Sequence, residues 1–193
     1  NGTDVYGFPY WWPIGFAVDR ALAALRDRGD IAPASLRHLV VVGPGLDVLD
    51  KDEGLDRHPP QSLQPFAVID SVLALGLGNA ASLHVTTLDV NPRVTAHLSG
   101  LKGRTRSPTL HLTRDANRTW TAEAVQYWQT AATRLGQTPV APSDGLLTRT
   151  VTLDARWPAR VTALNANIVY HRLDFPATDR ADLVVATNVL LYY

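Results

Sequence analysis

The stretch Leu36-Arg37-His38-Leu39-Val40-Val41-Val42-Gly43-Pro44-Gly45-Leu46-Asp47 decides the fold class. Leu36 to Val42 is short, nearly all apolar and rich in β-branched valine. Such a run fits a strand buried on both faces, the setting of a parallel sheet with helices on each side. Gly43-Pro44-Gly45 breaks it. Glycine reaches backbone conformations closed to other residues and lets a ligand approach the main chain. The carboxyl ends of parallel strands are where such sheets bind ligands. A plain strand-to-loop turn accounts for the same three residues. The third glycine of the dinucleotide fingerprint is missing, since Val48 stands there, and no Gly-Lys-Ser/Thr phosphate loop occurs. A nucleotide-dependent oxidoreductase is therefore the weakest reading of the loop.

Outward from this strand, helical and extended patterns alternate. Ile14 to Arg28 carries Ile14, Val18, Leu22 and Leu25 at helical spacing, with Gly29 as its stop. Before it, Tyr6 to Trp12 is aromatic and Pro-punctuated, and residues 1–35 read as an N-terminal aromatic and helical cap. Residues 47–60 hold five acidic residues and a Pro-Pro pair, and predict a long loop. Gln61 to Leu77 is helical again. Ser82 to Leu88 predicts a second strand ending at Asp89, and Asn91-Pro92 starts a helix through about Leu98. Thr109 to Thr113 and Leu147 to Leu153 read as strands on either side of an amphipathic helix, Thr121 to Leu135. Residues 137–146 form a linker. Leu164 to Leu173 contains a further strand ending at Asp174, and Ala181 to Ala186 the last, followed by a helix or turn from Asn188. This alternation predicts an α/β class with a mainly parallel sheet and flanking helices.

Composition excludes several classes. The chain has 193 residues, with 46% hydrophobic and 19% charged. That suits one globular domain, or one domain with an appendage. Eighteen basic residues balance eighteen acidic ones, which argues against a charge-driven nucleic-acid or membrane-surface binder. The absence of cysteine rules out disulfides and thiolate chemistry. No apolar run reaches a membrane span and no signal peptide is recognisable, so a cytoplasmic protein is expected. None of the six histidines forms a helical His-x-x-x-His pair, so spacing predicts no metal site.

Four segments carry candidate chemistry, each at a predicted strand end. They are Gly43-Pro44-Gly45; Asp89, whose carboxylate can accept two bonds from a ribose diol; Asp174, which can accept from an adenine amino group or simply cap a turn; and Thr187-Asn188-Val189-Leu190-Leu191-Tyr192-Tyr193. Asp89 before Asn91-Pro92 is also a natural turn or cap residue. In this order, over residues 36–193, the four resemble the motifs of class I S-adenosylmethionine (SAM) dependent methyltransferases. The last is particularly similar to the strand-four motif of CheR-type methyltransferases.

The resemblance implies a Rossmann-like sheet that binds SAM and serves an unidentified methyl acceptor. Its cofactor-binding set would be Gly43, Gly45, Asp47, Asp89, Val90, Asp174, Phe175 and Asn188. The glycines would pass beneath the methionine part, Asp89 would hold the ribose hydroxyls and Val90 would sit against the adenine. Asp174 and Phe175 would border that ring. Asn188 would face the transfer site, with Tyr192 as the other catalytic candidate. Departures from the family pattern are Leu46-Asp47 in place of a small residue and the long stretch between Asp89 and Asp174. The latter predicts an insertion at about residues 99–160, between strands two and three, as a substrate lid or partner surface. Four strands of a normally larger sheet lead to the expectation that C-terminal strands are missing, with another chain or a homo-oligomer completing the sheet. The alternative is a non-catalytic binding or scaffold module derived from the same fold.

Overall fold

The structure, a computed structural model, describes residues 11–46, 59–115, 119–137, 146–187 and 189. The elements in chain order are α1 (Trp11–Asp27), β1 (His38–Val42), α2 (Gln64–Ala74), β2 (His84–Asp89), α3 (Pro92–Ser99) and β3 (Thr109–Asp115). There follow α4 (Ala122–Thr130), β4 (Gly136–Gln137), β5 (Leu146–Leu153), a one-turn α5 (Arg156–Ala159), β6 (Val161–Asn165), a 3-10 turn at Ala177–Asp179 and β7 (Leu183–Ala186).

Four strands form an all-parallel sheet in the order β6-β2-β1-β7. The chain winds outward from β1 through β2 to β6, then returns to place β7 on the other side of β1. The sheet is flanked by helices, in agreement with the Rossmann-like α/β expectation. The apolar run of β1 explains its central position: all five residues are buried. Leu39 and Val41 belong to the large core cluster with Phe66, Ile69 and Val72 of α2 and with Val94 and Leu98 of α3. Val40 and Val42 face the other way, into a smaller cluster with Leu88 and Ala166. Period-two alternation thus buries opposite faces of one strand against two different layers.

The second layer differs from expectation. A strand was predicted within Leu164 to Leu173, ending at Asp174; the third strand of the sheet is instead Val161–Asn165, paired in register Val85↔Val161 through Asp89↔Asn165. Residues 168–170 turn, helped by Asn167, whose Oδ1 accepts from the Val169 N–H at 2.9 Å. Ile168, Leu173 and Phe175 then pack across the Val40–Val42 face. The apolar pattern there reports burial against the sheet rather than membership of it.

A three-stranded antiparallel sheet, β3-β5-β4, lies in the sequence between α3 and β6. Its Leu110, Leu112 and Val151 join the same cluster as Leu39 and Val41. Polar ties reinforce the junction. The Gln61 side chain imitates a neighbouring strand, donating to the His111 carbonyl at 2.9 Å and accepting from its N–H at 2.8 Å. Asp70 of α2, 4% exposed, accepts from the Ala132 N–H at 2.8 Å.

This contact also shortens α4. A helix through Leu135 was expected, but it ends at Thr130, and Ala132 takes φ +61°. The break delivers the Ala132 N–H to Asp70. It also frees the Trp128 and Ala131 carbonyls, which accept from the buried Arg149 guanidinium. α1 packs alongside α2 and reaches α4, where the Phe16 and Tyr127 rings lie 5.6 Å apart. No helix among the described residues is long and apolar enough to cross a membrane.

Candidate functional site

Strand order locates the candidate site. The chain leaves β1 toward β2 on one side and reaches β7, on the other side of β1, only from β6, so the carboxyl ends of β1 and β7 form the switch point of the sheet. Ligands of open α/β sheets bind at such a switch point. The Gly43-Pro44-Gly45 loop sits there. Both glycines adopt positive φ, +63° and +64°. The Gly43 N–H donates to the Leu88 carbonyl at 2.7 Å, which folds the loop against the end of β2. A side chain at Gly43 would meet Val189 Cγ2 at 2.5 Å, whereas one at Gly45 would have nothing within 4 Å among the described residues. The loop is packed on one glycine and open at the other.

Asp89, the last residue of β2, closes the arrangement. Its Oδ2 accepts from the Gly45 N–H at 3.2 Å and its Oδ1 from the Asn91 N–H at 2.8 Å. Asn91 in turn caps α3, accepting from the Arg93 N–H at 3.0 Å, with Pro92 at the first helical position. One carboxylate therefore ties the glycine loop to the start of the next helix. Each oxygen retains acceptor capacity beyond these bonds. Val90, next in line, is exposed.

Sequence reasoning missed Asn165, which ends β6 directly opposite Asp89. Its Nδ2 donates to the carbonyls of Asp89 at 3.2 Å and Val90 at 3.1 Å, fixing the edge on which Asp89 sits. The available signal was the run Val161-Thr162-Ala163-Leu164 closing on an amide side chain, overshadowed by the more apolar residues after it. Gln64 was also missed: its Nε2 donates to Thr187 Oγ1, joining the first turn of α2 to the end of β7.

Of the expected site residues, Gly43, Gly45, Asp89 and Val90 come together at this edge. Asp174 and Phe175 do not join them. The chain after β6 has run back across the sheet, and the Phe175 ring meets the edge of the His38 imidazole at 4.8 Å. His38 is the first residue of β1, at the amino edge of the sheet and the opposite end from Gly43. The Asp174 side chain is 79% exposed and pairs with Arg172 at 2.9 Å. The expectation that Asp174 closes a strand of the sheet is corrected: neither residue lies at the carboxyl end of a strand, and Asn165 does. Asp47, Asn188 and Tyr192 lie outside the described residues. No protein family, curated protein or solved structure matches the chain.

Proposed function

We propose that the chain binds SAM at the crevice beyond β1 and β7 and transfers its methyl group to an acceptor yet to be identified. The observation that carries this reading is the strand order β6-β2-β1-β7 with the glycine loop at its switch point and Asp89 at the neighbouring strand end. Open space over Gly45 and the spare acceptor capacity of Asp89 fit the methionine and ribose portions of such a cofactor. The group itself, when bound, supplies an activated methyl on a sulfonium. What the chain contributes is alignment. Gly43 and Gly45 offer main chain at close range, Asp89 accepts from the ribose hydroxyls, Val90 offers an apolar surface to the adenine, and Asn165 steadies both. Asn188 remains the candidate facing the acceptor. On this reading residues 99–160 are an insertion into the cofactor-binding fold that serves as lid or partner surface, and residues 1–35 a cap. β7 stands last in the order β6-β2-β1-β7 among the described residues, and its unpaired edge supports a further strand beside it.

A second reading, a binding or scaffold module without turnover, is favoured by one observation. Both Asp89 oxygens already hold backbone N–H groups, so the carboxylate has a structural role without any ligand. Calorimetry with S-adenosylhomocysteine and SAM separates the possibilities. The proposal expects binding, weakened in Asp89→Ala by about 1.5–3 kcal/mol, the range for hydrogen bonds to a charged group. Binding without methyl transfer to any of a panel of acceptors would favour the scaffold. Absence of binding to either compound would end both cofactor readings.

A further inference from the structure

At the amino edge of the parallel sheet, opposite the glycine loop, two histidines and a carboxylate converge. His38 opens β1 and His84 opens β2, and the parallel register sets them directly side by side. Their rings stack at 4.5 Å. Asp179, in the 3-10 turn before β7, lies over both: its Oδ1 is 2.9 Å from His84 Nε2 and 3.5 Å from His38 Nδ1. All three potential ligand atoms fall within 4.8 Å of one another. The Asp179 backbone carbonyl, 2.8 Å from His38 Nδ1, adds a further oxygen at the same point.

We infer that His38, His84 and Asp179 form a zinc site that clamps the segment between β6 and β7 to the sheet. Zinc takes imidazole nitrogen at about 2.0–2.1 Å and carboxylate oxygen at similar distance, which puts tetrahedral ligands about 3.3 Å apart. The two Asp179 separations bracket that value; the stacked rings, 21° between planes, turn out of their stack to aim both nitrogens at the ion.

The outer contacts suit metal ligands as well. The far nitrogen of each ring already has an oxygen partner, Thr86 Oγ1 at 2.9 Å for His38 Nε2 and the Ser82 carbonyl at 3.3 Å for His84 Nδ1. Such partners fix the tautomer that presents the other nitrogen to the ion. In the metal-free form a ring proton occupies each gap toward Asp179. On zinc binding that proton moves within each neutral ring to the far nitrogen, from Nε2 to Nδ1 in His84, where the Ser82 carbonyl accepts it, and from Nδ1 to Nε2 in His38, where Thr86 Oγ1 accepts it. His38 is 2% exposed, but the side chains of His84 and Asp179 are 37% and 48% exposed, so the ion has an entry path and water can complete the shell.

The test titrates the metal-free chain with zinc against a chromophoric chelator, with cobalt as a spectroscopic stand-in. The expected result is one-to-one binding, visible absorption typical of four-coordinate cobalt, and a rise in melting temperature with zinc. His84→Ala and Asp179→Ala, both at accessible positions, should weaken binding by at least the ~10–100-fold seen when only the partners of metal ligands are disturbed. His171→Ala, an exposed histidine elsewhere, should bind as the parent does. Equal weakening in His171→Ala, an octahedral cobalt spectrum, or parent-like affinity in folded His84→Ala would each overturn the proposal.

Discussion

Gly43 and Gly45 hold nearly the same backbone conformation, φ +63° and +64°, in different surroundings. An L-residue in that region costs roughly 1–2 kcal/mol. At Gly45 this is the whole cost, because a Cβ meets nothing within 4 Å among the described residues. At Gly43 the same Cβ runs into Val189 Cγ2 at 2.5 Å, in a cluster that also holds Val42 and Leu88. Overpacking of this kind adds about 1–3 kcal/mol. Urea denaturation should therefore rank Gly43→Ala as clearly less stable than Gly45→Ala. Equal losses would mean that Val189 moves aside freely. On the proposed cofactor reading, Gly45→Ala places a methyl group in the open part of the loop, so it should weaken S-adenosylhomocysteine binding beyond what its stability loss explains.

Among elements, the start of β7 is tied to the start of β1 by one side chain. Asp182 Oδ2 accepts from the Arg37 N–H at 2.7 Å and the His38 N–H at 2.9 Å. Partial burial pushes this carboxyl up, but the two backbone bonds and the nearby charges of Arg37 and His38 outweigh it and hold its pKa below the ordinary value. A depressed carboxylate contributes stability that is present above the unfolded value, about 3.9, and is lost as pH falls through the lower folded value. Buried Asp70 has the opposite sign. Desolvation raises its pKa, so its contribution declines as pH rises from the unfolded value through the folded one. The difference between parent and Asp182→Asn isolates the first effect. It should be about 1 kcal/mol at neutral pH, below the usual range for charged hydrogen bonds because the group is exposed, and should vanish in acid. A difference that stays constant down to pH 2 would assign the tie to shape rather than charge.

Elements were also the scale at which the sequence was most readable. The valine run of β1, the Asp-terminated β2 and the Asn-Pro start of α3 follow from local chemistry alone, and each lies within two residues of its predicted bounds. The misplacements involve distant partners. α4 stops early because Asp70 and Arg149, far away in sequence, take up its terminal backbone groups. The run Ile168 to Leu173 mimics a strand because a segment covering a sheet face needs the same apolar side chains as a strand within it. Asp174 and Phe175 went with that run, and Asn165 was hidden by it. The pairing of His38 with His84 was equally invisible, since only the register of two parallel strands brings residues so far apart in the chain together.

Across the whole molecule, the two sheets are not independent bodies, because one apolar cluster crosses between them. Leu39, Val41 and Val85 of the parallel sheet share it with Leu110, Leu112 and Val151 of the antiparallel one and with Phe66 and Ile69 of α2. Neither sheet can lose its packing without exposing α2 on that side. Chain connectivity points the same way: β6 enters the parallel sheet only after the antiparallel strands have been traversed. A shared core of this kind predicts a single cooperative transition. Leu112→Ala, a fully local change in the antiparallel sheet, should cost about 2–5 kcal/mol. It should also lower the opening free energy of amides in β1 and β2 by the same amount in hydrogen exchange under native conditions. If the β1 and β2 amides kept their parent protection while β3 and β5 lost theirs, the antiparallel sheet would be a separately unfolding module. Residues 99–160 could then open as a lid without disturbing the crevice, whereas a common loss of protection would require any lid motion to be a rigid shift confined to the exposed rim.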